Sequence, residues 1–338
     1  MKRFYFVFTL LVMIYQAAPA QTRPFLNLYF KQMSFYNPAF TGVEGYAKIN
    51  VNSRLQWIGF ENAPATYLLS AERSYKKGGN RFPHQDNSIR LSNPNLYQEL
   101  ERSVEYTRRN RVQHGVGTTV LRDEFGYFSN TSIQANYALH LLLGDYSILS
   151  VGVRALVNQE SLQLNEIRLR DPLNDPVYNS YLNRGNDRYT FNADAGIVFR
   201  RKSFYISYGI NQLLTDNYIS AETPGLQTEQ IQQVMTGIGV QVSENLQLSP
   251  SFWARYGEQS DLQIQGSLKA GYKNRFWLGA GYRTTESVFS FFNVVINQYF
   301  DLAYAYDYNF NSAIDSGAHE ISLGVRLLNW KEQPLYLW

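Results

Sequence analysis

The sequence predicts an all-β protein, a transmembrane antiparallel up-and-down β-barrel of about 14 strands. Three observations carry this. Apolar and polar side chains alternate over stretches of about ten residues, the length a tilted strand needs to cross a bilayer. Aromatic residues make up 15% of the 338 residues, with 26 Tyr and 21 Phe, and they gather at the ends of these stretches. Charged residues are only 17%, below the usual quarter, yet the chain is polar on average. Strands with one apolar and one polar face produce that combination. A water-soluble sandwich satisfies the alternation too. Strand length, aromatic ends and the export signal favour the barrel.

The first element is that signal. Lys2 and Arg3 precede a short apolar core from Phe4 to Tyr15, and Ala18-Pro19-Ala20 gives a small-residue cleavage site before Gln21. The core is too short for a membrane helix, which needs about 20 residues. A buried first helix is the alternative. Residues 1–20 are therefore expected to be a signal peptide, 21–44 a periplasmic lead segment with an Asn-Pro turn that could fold into the barrel mouth, and 45–338 the barrel. In the lead segment Asn37 caps its own backbone, Pro38 fixes φ, and Gly42 and Gly45 permit a tight start to the first strand. An ordinary turn at a strand start is the simplest reading of that motif.

The strands follow. Their expected centres are Ile49, Leu69, Gly117, Ala135, Val153, Ala195, Ser207, Ile238, Phe252, Leu268, Leu278, Val294, Tyr304 and Leu323. In the clearest runs, Leu149, Val151, Val153 and Ala155 alternate with Ser150, Gly152 and Arg154. Ile321, Leu323 and Val325 alternate with Glu320, Ser322 and Gly324. Successive side chains point to opposite faces, so each run has one apolar wall. If those walls face lipid, Arg154, Asp194, Arg255, Lys269, Arg283, Asp301, Asp307, Glu320 and Arg326 face the lumen. Mixed signs suit a plugged lumen better than a selective pore. An even strand number brings both barrel ends to one side and closes the sheet.

Connections divide into two kinds. Gly144-Asp145 and residues 200–203 are short; residues 76–111, 168–188 and 215–232 are long and polar. Short turns on one side and long loops on the other fit an outer-membrane barrel. The stretch 99–111 is read as solvated loop, with a short surface helix as the alternative.

Composition and motifs exclude several classes. There is no Cys, hence no disulfide scaffold, Cys-based metal site, Cys nucleophile or lipid-anchored N-terminus. The net charge of +3 falls by two, to +1, without Lys2 and Arg3, which does not suggest nucleic acid as a partner. His84, His114, His140 and His319 show no metal-ligand spacing. No phosphate loop or nucleophile elbow occurs, so no catalytic, metal or cofactor-binding residue is assigned, and the protein is expected not to be an enzyme. His140, His319 and Glu320 could be drafted into a surface-enzyme site, but nothing pairs a nucleophile with a base. His319 and Glu320 are read instead as a strand start at the membrane interface. Trp57 reads as an interfacial girdle residue or as part of a docking edge stiffened by Pro64.

Several stretches together carry a resemblance. Asn37-Pro38-Ala39, Arg54-Leu55-Gln56-Trp57 and Pro64-Ala65-Thr66 open it. Gly115-x-Gly117, Asp123 and Gly126 follow, then Tyr306-Asp307-Tyr308 and His319-Glu320. In order and spacing these resemble the PorP/SprF family, membrane proteins of the type IX secretion and gliding apparatus of Bacteroidetes, over nearly the whole mature chain. Residues 76–111 are longer than the family's usual connection, and about ten residues follow the last strand. The resemblance implies a signature or docking set of Asn37, Pro38, Ala39, Arg54, Gln56, Trp57, Pro64, Thr66, Asp307, His319 and Glu320. It implies an outer-membrane component that assists secretion or surface attachment of cargo by binding. Its partners would be translocon and periplasmic motor or ring components, cargo C-terminal sorting domains and outer-membrane lipid, with no cofactor. A transport barrel for a hydrophobic or small polar solute is the alternative.

Overall fold

A computed structural model of the chain describes residues 24–44, 46–75, 112–143, 147–163, 187–201, 203–214, 229–257, 260–273, 275–285, 287–297, 299–310 and 317–327. The expected signal peptide, Gly45, Gly144-Asp145, residues 76–111 and the C-terminal tail from 328 lie outside these.

The strands are β1 Ala47–Gln56, β2 Ala65–Tyr75, β3 Val112–Phe125, β4 Phe128–Leu142 and β5 Ser147–Leu162. Next come β6 Asp187–Arg201, β7 Phe204–Asn211, and β8 Ile231–Ile238, which resumes after Gly239 as Val240–Gln241. Both pieces of β8 pair with the same neighbour, so they are one strand. The rest are β9 Leu246–Gly257, β10 Gln263–Tyr272, β11 Phe276–Arg283, β12 Ser287–Val295, β13 Phe300–Asn309 and β14 Ala318–Leu327. Each pairs antiparallel with its neighbours in sequence, and β1 pairs with β14 from Ala47↔Leu327 to Gln56↔Ala318. The result is a closed barrel of 14 strands. Each of the expected strand centres falls within a strand.

Alternation sets the two surfaces. Val51, Leu69, Val153, Phe191, Leu278 and Ile321 are exposed on the outer wall. The nine charged side chains assigned inward by alternation are all buried in the lumen. Outward aromatics form two belts, as on a barrel whose ring edges sit at headgroup level. Tyr75, Tyr272, Phe276 and Phe300 mark one rim, and Tyr189, Tyr256, Tyr282 and Tyr308 the other.

Register corrects one expectation. Length alone groups residues 76–111 with the long loops, opposite the short turns. They join the end of β2 to the start of β3, where Tyr75 pairs with His114 and Val112 with Leu141. That rim also carries the connections 143–146, 202–203, 242–245, 273–275 and 296–299, the start of β1 and the end of β14. It is called the turn side below. The connections 163–186 and 212–230 lie at the opposite, loop side, together with 57–64. In an up-and-down barrel, parity alone decides the side.

The lumen is filled by residues 24–44. They form three short helical turns, Tyr29–Lys31, Met33–Tyr36 and Pro38–Phe40. Leu26, Leu28, Phe35, Tyr36, Ala39, Phe40 and Val43 are buried. The segment has no alternation because it pairs with no strand; it packs against inward side chains on all sides. Its aromatic rings centre on Trp253 of β9, with ring centroids 4.6 Å to Tyr36, 4.9 Å to Phe25 and 5.5 Å to Tyr29. The indole N–H is satisfied by Gln233 Oε1 at 3.1 Å.

Candidate functional site

The Asn-Pro motif lies inside the barrel, seated on its wall. Asn37 is extended, at φ −132° and ψ 115°, and its Oδ1 accepts the Ala39 N–H at 2.9 Å. Pro38 at the first helical position has no N–H to satisfy. The Asn37 amide also donates to the Tyr208 carbonyl at 3.0 Å and the Ile197 carbonyl at 3.4 Å, tying the turn to β6 and β7. The motif thus joins the segment to the wall, which corrects its reading as an ordinary turn at a strand start.

The wall accommodates this close approach with a row of small inward residues on five adjacent strands. Gly115 pairs with Ala138, Ala138 with Gly152, Gly152 with Gly196, and Gly196 with Gly209. A Cβ at Gly152 would overlap the backbone of Pro38 and Ala39; one at Gly115 would overlap the Thr41 carbonyl. His140, buried between them, spans Ser150 Oγ at 2.7 Å and the Thr41 carbonyl at 2.9 Å. Gly42, at φ +69°, then turns the chain against the backbone of Arg73 and Gly115. Its N–H donates to Glu72 at 3.1 Å, and Glu72 pairs with Lys48 at 2.9 Å.

Charges inside the lumen fall in clusters that hold the segment. Arg154 pairs with Asp194 at 2.9 Å and donates to the carbonyls of Ser34 and, at 2.7 Å, Phe35. Lys31 pairs with Asp301 at 3.1 Å, and Arg326 reaches the same carboxylate at 3.3 Å. The largest cluster joins three of the signature residues. Arg54 is 2.9 Å from Asp307 and 3.6 Å from Glu320, and Arg283 is 3.5 Å from Asp307. Glu320 accepts the backbone N–H groups of Asn27 at 2.7 Å and Leu28 at 3.1 Å, and the Asn52 amide at 2.8 Å. Arg283 donates to Asn27 Oδ1 at 2.8 Å. Buried ions need such pairing, since each left alone costs several kcal/mol of desolvation.

The remaining signature residues are not members of these ion pairs. Gln56 and Pro64 close the first loop-side connection, with the Gln56 N–H on the Pro64 carbonyl at 3.0 Å. Trp57 sits at that rim with φ 51°, its ring 6.4 Å from Phe125. Thr66 donates to Asp123 at 2.6 Å. His319 faces outward and meets the Tyr304 hydroxyl at 2.8 Å. Glu320, its neighbour, faces the lumen, as alternation assigned it, which corrects its alternative placement at the membrane interface. Sequence reasoning missed Trp253, the glycine row and the aromatic residues of the segment. The row had a signal: small residues at inward positions of consecutive strands. Among the described residues no group of His, Asp and Glu is placed to hold a metal ion.

This architecture defines a class: an outer-membrane-type β-barrel whose lumen is closed by its own N-terminal segment. Similar solved structures are barrels too. The CymD monoaromatic hydrocarbon channel is 10% identical, with 88% of this chain and 93% of that chain covered, at a TM-score of 0.50. Omp33 of Acinetobacter baumannii is 9% identical, with 85% and 100% covered, at 0.44. The toluene transporter TodX of Pseudomonas putida is 9% identical, with 92% and 95% covered, at 0.42. At such identity the likeness concerns the fold alone. No curated protein sequence matches the chain. The family is shown by sequence: the chain belongs to the type IX secretion system membrane proteins PorP/SprF, whose family model matches residues 18–325.

Proposed function

We propose that this protein is a non-enzymatic outer-membrane component of type IX secretion. It assists secretion or surface attachment of particular cargo proteins by binding their C-terminal domains and translocon components. Family membership supports the setting. The single structural observation that favours binding over conduction is the filled lumen: residues 24–44 are packed into it by the glycine row and three charge clusters. Beside Tyr29 and Phe30 a cavity of about 30 Å³ remains, room for a couple of waters. A transport barrel needs a passage, and among the described residues the packed segment occupies the lumen where that passage would run.

Orientation follows from the usual rule that outer-membrane barrels keep short turns in the periplasm. The turn side, with the start of β1, the end of β14 and the connection 76–111, then faces the periplasmic motor or ring. The loop side faces the exterior. Export by the N-terminal signal peptide, from a Bacteroidetes-like cell, completes the reading.

The test is a clean deletion strain. Surface delivery of a subset of exported proteins is lost, with gliding if the organism glides, while outer-membrane integrity and solute uptake stay normal. Affinity isolation from native membranes recovers translocon and cargo. Normal cargo secretion with a lost uptake phenotype would overturn this reading in favour of transport.

A further inference from the structure

The luminal segment has a direction. Its far end is fixed: residues 41–44 lie among His140, Gln113, Glu72 and Lys48 at the turn side and lead into β1 at Ala47. Its near end lies at the opposite rim. The Phe25 ring sits between two guanidinium groups, 4.6 Å from Arg255 and 4.5 Å from Arg283. Arg283 is the last residue of β11, and Arg255 lies two before the end of β9. Asn27 and Leu28 donate to Glu320, the third residue of β14. All three strand ends belong to the loop side. Between these ends the chain crosses the middle of the barrel, with Tyr29 on Ser251 and Ser267, and Gln32 on Ser70.

We propose that the segment is threaded through the whole barrel from the loop-side mouth, so that the start of the mature chain is displayed at that mouth. A segment tucked in from the turn side, as a lead segment preceding β1 suggests, would have both ends at one rim. Here they lie at opposite rims. Residues 25–28 close the loop-side mouth through contacts to strand ends. Under the orientation proposed above, that mouth faces the cell exterior. A barrel otherwise closed would thereby present an N-terminal peptide to the surface, while its covalent anchor stays on the periplasmic side.

The absence of Cys makes the test clean. Three full-length variants each carry one thiol. Thr22→Cys lies at most about 7 Å of chain from Pro24. Glu61→Cys is exposed in the loop-side connection and Glu244→Cys is exposed in a turn-side connection. Intact cells are treated with a membrane-impermeant maleimide polymer, and gel shift reads the labelled fraction, before and after lysis. Threading requires Thr22→Cys to label like Glu61→Cys. Labelling of Thr22→Cys only in step with Glu244→Cys would overturn it, as would labelling only after denaturation. Orientation is read separately, from which of the two controls reacts on intact cells. If Glu244→Cys reacts there and Glu61→Cys does not, the orientation fails. Threading is still judged by which control Thr22→Cys follows.

Discussion

Gly152→Val sets the wall against the plug. Gly152 lies mid-strand on β5, paired with Ala138 and Gly196, and any Cβ there meets the backbone of Pro38 and Ala39. Backbone has no rotamer to escape into, so either the wall or the turn must move. Moving the wall breaks ladders with β4 and β6 in a closed ring. Moving the turn forfeits the Asn37 bond to Tyr208, the His140 bond to Thr41, and the Gln233 and Asn211 bonds to the Tyr36 carbonyl. Four hydrogen bonds at roughly 0.5–1.5 kcal/mol each amount to about 2–6 kcal/mol. Overpacking strain of about 1–3 kcal/mol is the competing cost if the turn stays seated. The two overlap, so the turn is expected to be unseated in a measurable fraction of molecules. The barrel itself should still form. In planar bilayers the wild-type protein shows no large stable conductance, whereas Gly152→Val shows intermittent openings and a lower unfolding temperature. It remains heat-modifiable on gels. Ala155→Val places the same branched side chain on the exposed face of the same strand and should behave as wild type. A Gly152→Val protein as closed and as stable as wild type would refute the seating argument.

Other outcomes follow from the charge clusters and the rim. Arg154→Met removes the buried ion pair to Asp194 and the bonds to two plug carbonyls, so it should destabilise the protein by about 3–5 kcal/mol in denaturant titration. Adding Asp194→Asn should restore part of that loss, because the buried negative charge is then gone. Glu320→Gln keeps the shape of the side chain but removes charge beside Arg54, and should lower stability while leaving strand content by circular dichroism unchanged. For Trp57→Ala, modest destabilisation with normal recovery of partners identifies a girdle residue. Normal stability with lost translocon or cargo identifies a docking residue.

The sequence by itself determined the barrel. A period of two is a local property, so strand centres, inward and outward faces, and the mixed charge of the lumen could be read from successive residues. The side on which residues 76–111 emerge was also implicit, since strand parity fixes it; grouping connections by length obscured it. What only the tertiary structure decided concerns contacts without a period. Residues 24–44 have no alternation and make short irregular turns, so nothing local says what they pack against. The meaning of Asn37-Pro38-Ala39 depends on Gly152 and Gly196, more than a hundred residues away. Arg54, Asp307 and Glu320 are drawn together because β1 closes on β14, and closure is a property of the ring rather than of any strand in it. Burial inside that ring then makes their pairing obligatory, since a buried charge left unpaired costs several kcal/mol of desolvation.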